Sequence, residues 1–361
     1  MDSFAFIIHP LDPKRDVSRK YPLLGRVLPE SAIHFLSQFW PPVELSRITG
    51  ARSIATGKEI EGWLIAVPYT ARRMLELPPA EVYRKIIAAG HLAERLGAKM
   101  LGLGAYTSVV GDGGLTIARE LDIGVTSGDS YTVAVSVEAT IEAVLRMGLD
   151  LGSAQVAVVG ASGAIGRAVS QLLAPRSGNM LLVGRDLARL QVTAAAVTAA
   201  GNANISLTTD VDEIQTADVV VTVTSSGGAL VTPDILKRGA IVCDVSRPRD
   251  VSWQTSRQRQ DVLVIDGGLV RVPGAVDFGF DYGLPAGMTY GCMAETMALT
   301  FEGLFEDYSL GKDIPLTNIR RIEAIATRHG FSLAALRSYE QKLDDIVIQK
   351  VRAQAYAGGM G

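Results

Sequence analysis

The chain has too few cysteines and histidines for a disulfide framework or a zinc site. Of its 361 residues, two are cysteine (Cys243 and Cys292) and four are histidine. Two cysteines cannot build a disulfide scaffold, and the scattered histidines show no ligand spacing of the kind that zinc sites use. The sequence therefore predicts no disulfide-stapled domain and no metal site.

Strong net charge and long apolar runs are also missing. The formal net charge is -3, which gives no long-range attraction to nucleic acid. No apolar run reaches a membrane-spanning length, and the N-terminus MDSFAFIIHPLDP lacks a basic region followed by a cleavable apolar stretch. With 48% hydrophobic residues, we expect a cytoplasmic globular protein with sizeable cores, no membrane span and no nucleic-acid partner.

A glycine-rich turn near the middle of the chain is the most informative motif. Residues 156–159 predict a buried strand, and the turn that follows has the pattern G-x-x-G-x-x-G before an apolar helix face. Glycine lets the backbone approach a pyrophosphate, whose charge the helix N-terminus stabilises. The turn therefore predicts a dinucleotide site, which consists of Gly160, Ser162, Gly163, Ala164, Ile165 and Gly166.

The next apolar strand indicates which dinucleotide binds. Residues 180–183 lead into Gly184-Arg185-Asp186, the place where an NAD-binding domain usually has an acidic residue for the ribose 2′-hydroxyl. Arg185 suits a 2′-phosphate instead and favours NADPH, although Asp186 leaves NADH as a minor option. The alternative is that Arg185 is an ordinary solvated residue of a strand-to-helix turn.

Further apolar runs at 217–223, 240–245 and 262–266 are separated by helical lengths, which is typical of a parallel sheet covered on both faces. Ligands of such sheets lie at the carboxyl ends of the strands. Thr224 and Ser225, together with Ser246 and Gly267, are therefore expected at the nucleotide crevice. Each of them is equally compatible with simple turn chemistry.

The segment before the glycine turn contains two hydroxyl-rich turns. One follows a predicted helix over 78–98 and a short strand at 100–104, and the other precedes a predicted connecting helix that includes Val133 and Leu145. We predict that these turns line a substrate cleft, although helix caps and loop hydroxyls are an equal alternative. The tentative substrate residues are Thr107, Ser108, Ser127, Gly128, Asp129 and Thr132.

These elements predict an α/β fold. We expect a smaller N-terminal α/β substrate domain over residues 1–148 and a Rossmann-type parallel-sheet domain that binds NADP over residues 149–285. C-terminal helices over residues 286–361 carry the candidate catalytic cysteine.

Cys292 is the candidate nucleophile. It lies at the start of a predicted long helix, and a helix N-terminus stabilises thiolate over thiol. Taken alone, a cysteine beside methionine and alanine is more often an inert core residue, as Cys243 inside an apolar strand is expected to be. The predicted apolar face of the helix comprises Met293, Met297, Phe301, Leu304, Phe305 and Tyr308.

Segments spread in one order over nearly the whole chain carry a resemblance. They are Phe4-Ala-Phe-Ile-Ile-His9, Arg15-Asp-Val-Ser-Arg19, Ala55-Thr-Gly-Lys58, Leu103-Gly-Ala-Tyr-Thr-Ser108, the glycine turn, Gly291-Cys-Met-Ala-Glu-Thr-Met297, Phe301-Glu-Gly303 and Arg328-His-Gly-Phe331. These segments resemble the cyanobacterial long-chain fatty acyl-[acyl carrier protein] reductase family, which forms aldehydes with NADPH. In that family the cysteine matching Cys292 is the acylated nucleophile.

The resemblance implies a reaction. Cys292 attacks the thioester of acyl carrier protein or of coenzyme A, and the acyl-cysteine is reduced by NADPH to a fatty aldehyde. No histidine follows Cys292 in the local sequence to act as a base, so thiolate formation is assigned to the helix terminus and a low-dielectric cleft. A hydroxyl of Thr132, Ser127 or Thr224 is the candidate oxyanion partner. A magnesium requirement is left unassigned, and an aldehyde-consuming enzyme is a further candidate partner.

The chain also departs from the family pattern. Around the cysteine, Gly291 and Met293 replace an alanine and a phenylalanine, and residues 286–290 (AGMTY) replace a charged stretch. Earlier in the chain, Asp129-Ser-Tyr131 stands where the family has N-T-H, and Ser246-Arg-Pro-Arg249 replaces a Gly-Gly-Tyr-Pro turn. These changes leave acyl length and carrier identity open. Two other readings remain: a two-domain NADP-dependent dehydrogenase of the shikimate or amino-acid type with a structural Cys292, and a non-catalytic NADPH-binding partner protein.

Overall fold

The computed structural model describes residues 1–357. Its α-helices are α1 Pro13–Lys20, α2 Pro22–Val27, α3 Glu30–Leu36, α4 Ala71–Glu76, α5 Pro79–Arg95, α6 Tyr106–Val109, α7 Leu115–Ala118, α8 Asp129–Met147, α9 Ala164–Leu173, α10 Leu187–Ala200, α11 Trp253–Gln258, α12 Gly291–Glu302, α13 Leu316–His329 and α14 Asp345–Tyr356. Short 3-10 helices cover Ala174–Arg176, Val211–Thr216 and Pro233–Ile235.

The strands alternate with these helices over most of the chain. They are β1 Asp2–Ile8, β2 Val43–Arg52, β3 Glu59–Ala66, β4 Met100–Leu103, β5 Gly124–Thr126, β6 Gln155–Val159, β7 Asn179–Val183, β8 Asn204–Thr208, β9 Val219–Thr222, β10 Ile241–Asp244, β11 Leu263–Asp266, β12 Leu269–Arg271, β13 Gly274–Asp277, β14 Met288–Tyr290, β15 Ser332–Leu333, β16 Arg337–Ser338 and β17 Gln341–Lys342.

The chain forms two compact units. The first comprises Met1–Tyr131 and Val270–Ser332, and the second comprises Thr132–Leu269 and the segment from Leu333 onward. This division differs from the expected boundaries at 148 and 285, because the chain returns to the first unit after β12: β13 pairs with β2, and α12 contacts β4 and β1. The end of the expected C-terminal segment, residues 358–361, lies outside the described residues.

The second unit contains a six-stranded parallel sheet in the order β11-β10-β9-β6-β7-β8. Counted along the chain from β6, this order is 3-2-1-4-5-6, the doubly wound arrangement of dinucleotide-binding domains. The central strands β6, β9 and β10 are almost entirely buried, as strands covered on both faces must be. The predicted α/β fold with a Rossmann-type sheet is confirmed.

The first unit contains a mixed six-stranded sheet in the order β13-β2-β3-β1-β4-β5. Strands β3, β1, β4 and β5 run parallel, whereas β2 and β13 form an antiparallel edge. The carboxyl ends of β1, β4 and β5 therefore meet at one edge of the sheet, which is the edge where ligands of such sheets bind.

Helix α12 begins where the sequence predicts and ends earlier. It covers Gly291–Glu302, because Gly303 adopts a left-handed conformation (φ 74°) and its N–H bonds to the carbonyls of the last turn. The predicted continuation of the apolar face through Leu304, Phe305 and Tyr308 is wrong, since these residues follow the glycine that stops the helix. Among the described residues, no helix has the length and apolar character needed to cross a bilayer.

Candidate functional site

The glycine turn in the second unit has the backbone that a phosphate cradle needs. Gly160 has a positive φ of 88°, and a Cβ on it would lie 2.4 Å from the Val223 carbonyl oxygen. A Cβ on Gly166 would lie 2.2 Å from the Gly160 oxygen, so this glycine allows the first turn of α9 to close on the strand end. Gly163 is the N-cap of α9, and a Cβ on it would lie 3.3 Å from the Gly160 oxygen. Ser162, Ala164 and Ile165 complete the turn and the helix N-terminus, where free N–H groups bind anions.

The charged residues that follow β7, Arg185, Asp186 and Arg189, have different surroundings. Asp186 is the N-cap of α10, where its carboxylate accepts the N–H of Arg189 at 3.2 Å. This capping role accounts for an acid at that position without a ribose contact. Arg185 is exposed, and the Arg189 guanidinium donates to the Ser162 carbonyl oxygen at 3.1 Å. Arg189 thus places a cation on the glycine turn, and Arg185 is an exposed cation shortly after the end of β7.

Thr224 is part of a buried network at the carboxyl ends of β9 and β10. Its hydroxyl donates to Asp250 at 2.6 Å, and Ser246 donates to the same carboxylate at 2.5 Å. The Thr224 hydroxyl hydrogen is therefore already used, so this threonine is a poor oxyanion donor. Ser225 follows it in the same exposed turn.

The Thr107-Ser108 turn in the first unit serves the local backbone. The Thr107 hydroxyl donates to the Gly104 carbonyl and the Ser108 hydroxyl donates to the Ala105 carbonyl, both at 2.8 Å. Both side chains are buried. These contacts correspond to the alternative of loop hydroxyls, which bond to nearby carbonyls and hold the turn after β4, and neither residue caps the helix that follows.

The second hydroxyl-rich turn is bound to the start of α12 by a buried carboxylate. Glu295 is fully buried, accepts a hydrogen bond from the Thr126 hydroxyl, and accepts another from the Tyr131 N–H at 2.7 Å. The Ser127 hydroxyl donates to the Ser309 carbonyl oxygen, so it has no hydrogen left for an oxyanion. Burial raises the pKa of Glu295, while these donors partly offset the shift.

Gly128 brings this turn into contact with the candidate nucleophile. Its φ is 77°, and a Cβ on it would lie 2.2 Å from the Cα of Cys292. Only glycine permits this approach. Cys292 is the second residue of α12 and remains half-buried, whereas Cys243 lies fully buried in β10. Of the remaining tentative substrate residues, Asp129 starts α8 beside this contact and Thr132 starts the second unit.

The electrostatics at Cys292 oppose thiolate formation in the resting protein. Burial and the nearby Asp129 carboxylate raise the pKa of the Cys292 thiol to about 12. The N–H groups of Met293 and Cys292 act in the opposite direction, as expected at a helix N-terminus, but they are outweighed. These contributions work against the prediction that the helix terminus and a low-dielectric cleft supply the thiolate, because burial disfavours the charged form, and they favour a neighbouring base that accepts the thiol proton.

Asp129 has the properties of such a base. Burial and the neighbouring Glu295 carboxylate raise the pKa of Asp129 to about 7. From the sequence, Asp129 is predicted only as a tentative substrate residue. Glu295 and Arg189 were not predicted as site residues. The available signals were their positions in the chain: Glu295 is three residues after Cys292, and Arg189 is four residues after Arg185.

Three segments that carry the family resemblance meet at the other end of α12. His329 lies between the Ser53 hydroxyl (2.8 Å from Nδ1) and the Glu302 carboxylate (2.9 Å from Nε2), and its ring stacks on Phe301. Lys58 donates to the Phe301 carbonyl oxygen at 3.4 Å. This cluster fixes the C-terminal end of α12 and explains these segments as structural supports.

Comparisons with known proteins find similarity over the second unit and over nearly the whole chain. Residues 142–267 match the family model described as shikimate / quinate 5-dehydrogenase, which covers the sheet of the second unit. The chain is 29% identical over 354 residues to the long-chain acyl-[acyl-carrier-protein] reductase of Synechococcus elongatus, covering 92% of this chain and 99% of that protein. The second match supports the resemblance that the sequence segments carry.

The chain is also similar to a longer protein. It is 31% identical over 357 residues to aminotransferase PigE of Serratia sp., covering 94% of this chain and 41% of that protein. The chain thus spans less than half of PigE. Among solved structures, quinate dehydrogenase of Corynebacterium glutamicum in complex with NAD is 15% identical with a TM-score of 0.38, covering 90% of this chain and 98% of that one.

Proposed function

We propose that this protein is an NADPH-dependent oxidoreductase that reduces a long-chain acyl thioester to a fatty aldehyde through an acyl-Cys292 intermediate. The observation that carries the proposal is the half-buried Cys292 at the first turn of α12, held against Gly128 and beside Asp129. The similarity to an acyl-[acyl-carrier-protein] reductase over nearly the full length of both proteins supports it.

The second unit supports the cofactor part of the proposal. The glycine turn and the N-terminus of α9 fit a pyrophosphate, and Arg185 with Arg189 fits a 2′-phosphate. Asp186 caps α10 through one carboxylate oxygen, which accounts for an acid at this position without a ribose contact. Bound there, NADPH supplies the hydride that reduces the acyl thioester.

Cys292 forms the covalent intermediate. Its sulfur forms a bond to the thioester carbonyl carbon, the bond from that carbon to the carrier sulfur breaks, and the thiol proton passes to the departing carrier thiolate. The N–H groups of Cys292 and Met293 already interact favourably with negative charge at the thiol. They are the donors we assign to the oxyanion, in place of hydroxyls that the structure uses elsewhere.

The donor is an acyl carrier protein or acyl-coenzyme A. Both present the same thioester, and the proposed reaction at Cys292 is identical for the two. An enzyme that consumes the aldehyde is the corresponding partner on the product side.

A second candidate is an NADP-dependent dehydrogenase of the shikimate type. The match of residues 142–267 to the shikimate / quinate 5-dehydrogenase model favours it. In this reading Cys292 is structural and no acyl-enzyme forms. A third candidate, a partner protein that binds NADPH without turnover, agrees with the glycine turn but leaves the half-buried Cys292 unexplained.

Thioester-dependent NADPH oxidation separates these candidates. The protein should oxidise NADPH when a long-chain acyl thioester is added, and Cys292→Ala should reduce the rate at least about 10³-fold. Cys243→Ala, which changes the buried cysteine of β10, is the matched control and should retain the rate. Full activity of Cys292→Ala would favour the dehydrogenase, and nucleotide binding without oxidation would favour the partner protein.

A further inference from the structure

We propose that Asp129 is the general base that accepts the proton of the Cys292 thiol as its sulfur attacks the acyl thioester. This inference rests on the proposed function and adds a residue to it. The proton moves from the Cys292 sulfur to the Asp129 carboxylate and then to the departing carrier thiolate, so the carboxylate is restored when the acyl-cysteine has formed.

The geometry of the loop places Asp129 beside the thiol. Gly128 lies against both the Cα and the Cβ of Cys292, with 2.2 and 2.3 Å between these atoms and a Cβ built on the glycine. Asp129 is the next residue, and after burial its carboxylate is the largest influence raising the thiol pKa.

Glu295 is the other acid near Cys292, and its carboxylate is already hydrogen-bonded. Both oxygens of Glu295 accept hydrogen bonds, one from the Thr126 hydroxyl and one from the Tyr131 N–H. These contacts tie the loop to α12, so Glu295 is a positioning residue. Asp129 is half-buried, and it therefore combines proximity to the thiol with access to the reacting groups.

The surrounding groups bring the pKa of Asp129 close to neutral pH, where its carboxyl group can both gain and lose a proton. Burial and the charge of Glu295 hold the pKa of Asp129 at about 7, so a substantial fraction is carboxylate at neutral pH and can accept a proton. The other titratable groups near the pair are Tyr282, Tyr290 and Tyr308. The pKa of Tyr282 is raised by burial, and that of Tyr308 is raised to about 12.

Two reactions of Cys292 in the full chain test the inference, because the Asp129 carboxylate should slow one of them and accelerate the other. Alkylation by iodoacetamide needs only thiolate, which a neighbouring carboxylate disfavours. Acylation by a long-chain acyl thioester additionally needs the thiol proton to be accepted and delivered. We measure both rates on Cys292 by mass spectrometry, in the wild type and in Asp129→Asn, at pH 6 to 9.

In Asp129→Asn we expect alkylation at pH 8 to become about tenfold faster, since one unit of lowered thiol pKa raises the thiolate fraction tenfold. We expect acylation at pH 7 to become about 10²-fold slower and to lose its rise through pH 7. Asp129→Glu, which keeps a carboxylate, should recover part of the acylation rate and its pH profile.

Each other outcome overturns the inference. If both reactions slow down, Asp129 only maintains the loop; if neither changes, its carboxylate does not act on the thiol; if both accelerate, it only suppresses the thiolate. Failure of the wild type to be acylated by any thioester would reject the proposed function, whereas an acylated wild type with an equally fast Asp129→Asn would reject only the base.

Discussion

The backbone of Gly128 lies so close to Cys292 that a Cβ atom on Gly128 would fall 2.2 Å from the Cα of Cys292. This contact joins the turn after β5 to the first turn of α12. It sets where the Asp129 carboxylate lies relative to the thiol, and the proposed chemistry depends on it.

A methyl group at Gly128 should therefore disrupt the site. Gly128→Ala combines a clash with backbone atoms and a positive φ of 77°, so we expect a loss of more than about 2 kcal/mol in the free energy of unfolding and a loss of acylation. Gly97→Ala is the matched control, since Gly97 has a φ of 88° and open space around it. It should cost only about 1 kcal/mol and keep acylation. Equal costs in urea unfolding would contradict the contact.

The pH dependence of stability should report the environment of Asp129. Its pKa is about 7 in the folded chain and 3.8 for an ordinary aspartate in the unfolded chain, so between these values the folded chain holds a proton that the unfolded chain has lost. Stability of the wild type should therefore fall as pH rises from 4 to 7, and Asp129→Asn should escape this loss. Its advantage should grow to about 1–3 kcal/mol above pH 8, allowing for partial exposure. An advantage that is constant from pH 4 to 8 in urea unfolding would contradict the raised pKa.

Glu295 should be needed for the attachment of the loop to α12. Glu295→Ala leaves the Thr126 hydroxyl and the Tyr131 N–H without their acceptor, so we expect a loss of about 3 kcal/mol in urea unfolding at pH 5, where the cost of a buried charge is smallest. Glu323→Ala on the exposed face of α13 is the control and should change stability by less than about 0.5 kcal/mol. Similar values for both variants would reject the role of Glu295.

The preference for NADPH over NADH should depend on Arg185 and should not depend on Asp186. Arg185→Ala should lower kcat/KM for NADPH about tenfold or more and leave that for NADH unchanged, because it removes a charge-assisted contact to the 2′-phosphate. Asp186→Asn retains a good N-cap for α10 and should keep the NADPH to NADH ratio. A changed ratio in Asp186→Asn with none in Arg185→Ala would reverse these assignments.

The strands of the second unit were predictable because the apolar runs and the glycine turn are local signals. The runs at 156–159, 240–245 and 262–266 correspond to β6, β10 and β11. The return of β13 to β2 was not predictable, since pairing across 200 or more residues of chain leaves no periodic trace. The end of α12 was missed because a left-handed Gly303 looks like any other glycine in the sequence.

The candidate site, like the fold, could be predicted from the sequence only where the signals are local. The position of Cys292 at a helix N-terminus followed from the sequence, because the helical period and the preceding glycines are local. The raised pKa of its thiol did not, since it arises from burial and from Asp129, which lies far away in sequence. Asp129 is brought to Cys292 by tertiary folding, whereas Glu295 lies on the same helix as Cys292 and only its contacts with Thr126 and Tyr131 come from tertiary folding.

The covalent intermediate is the centre of this account, and mass spectrometry of the intact protein tests it most directly. After exposure to a long-chain acyl thioester, the wild type should gain the mass of one acyl group on Cys292, and NADPH should then remove it with release of one aldehyde per adduct. Cys243→Ala should behave in the same way, whereas Cys292→Ala should gain no mass. Rapid NADPH oxidation by Cys292→Ala, or an adduct that NADPH leaves in place, would contradict the account.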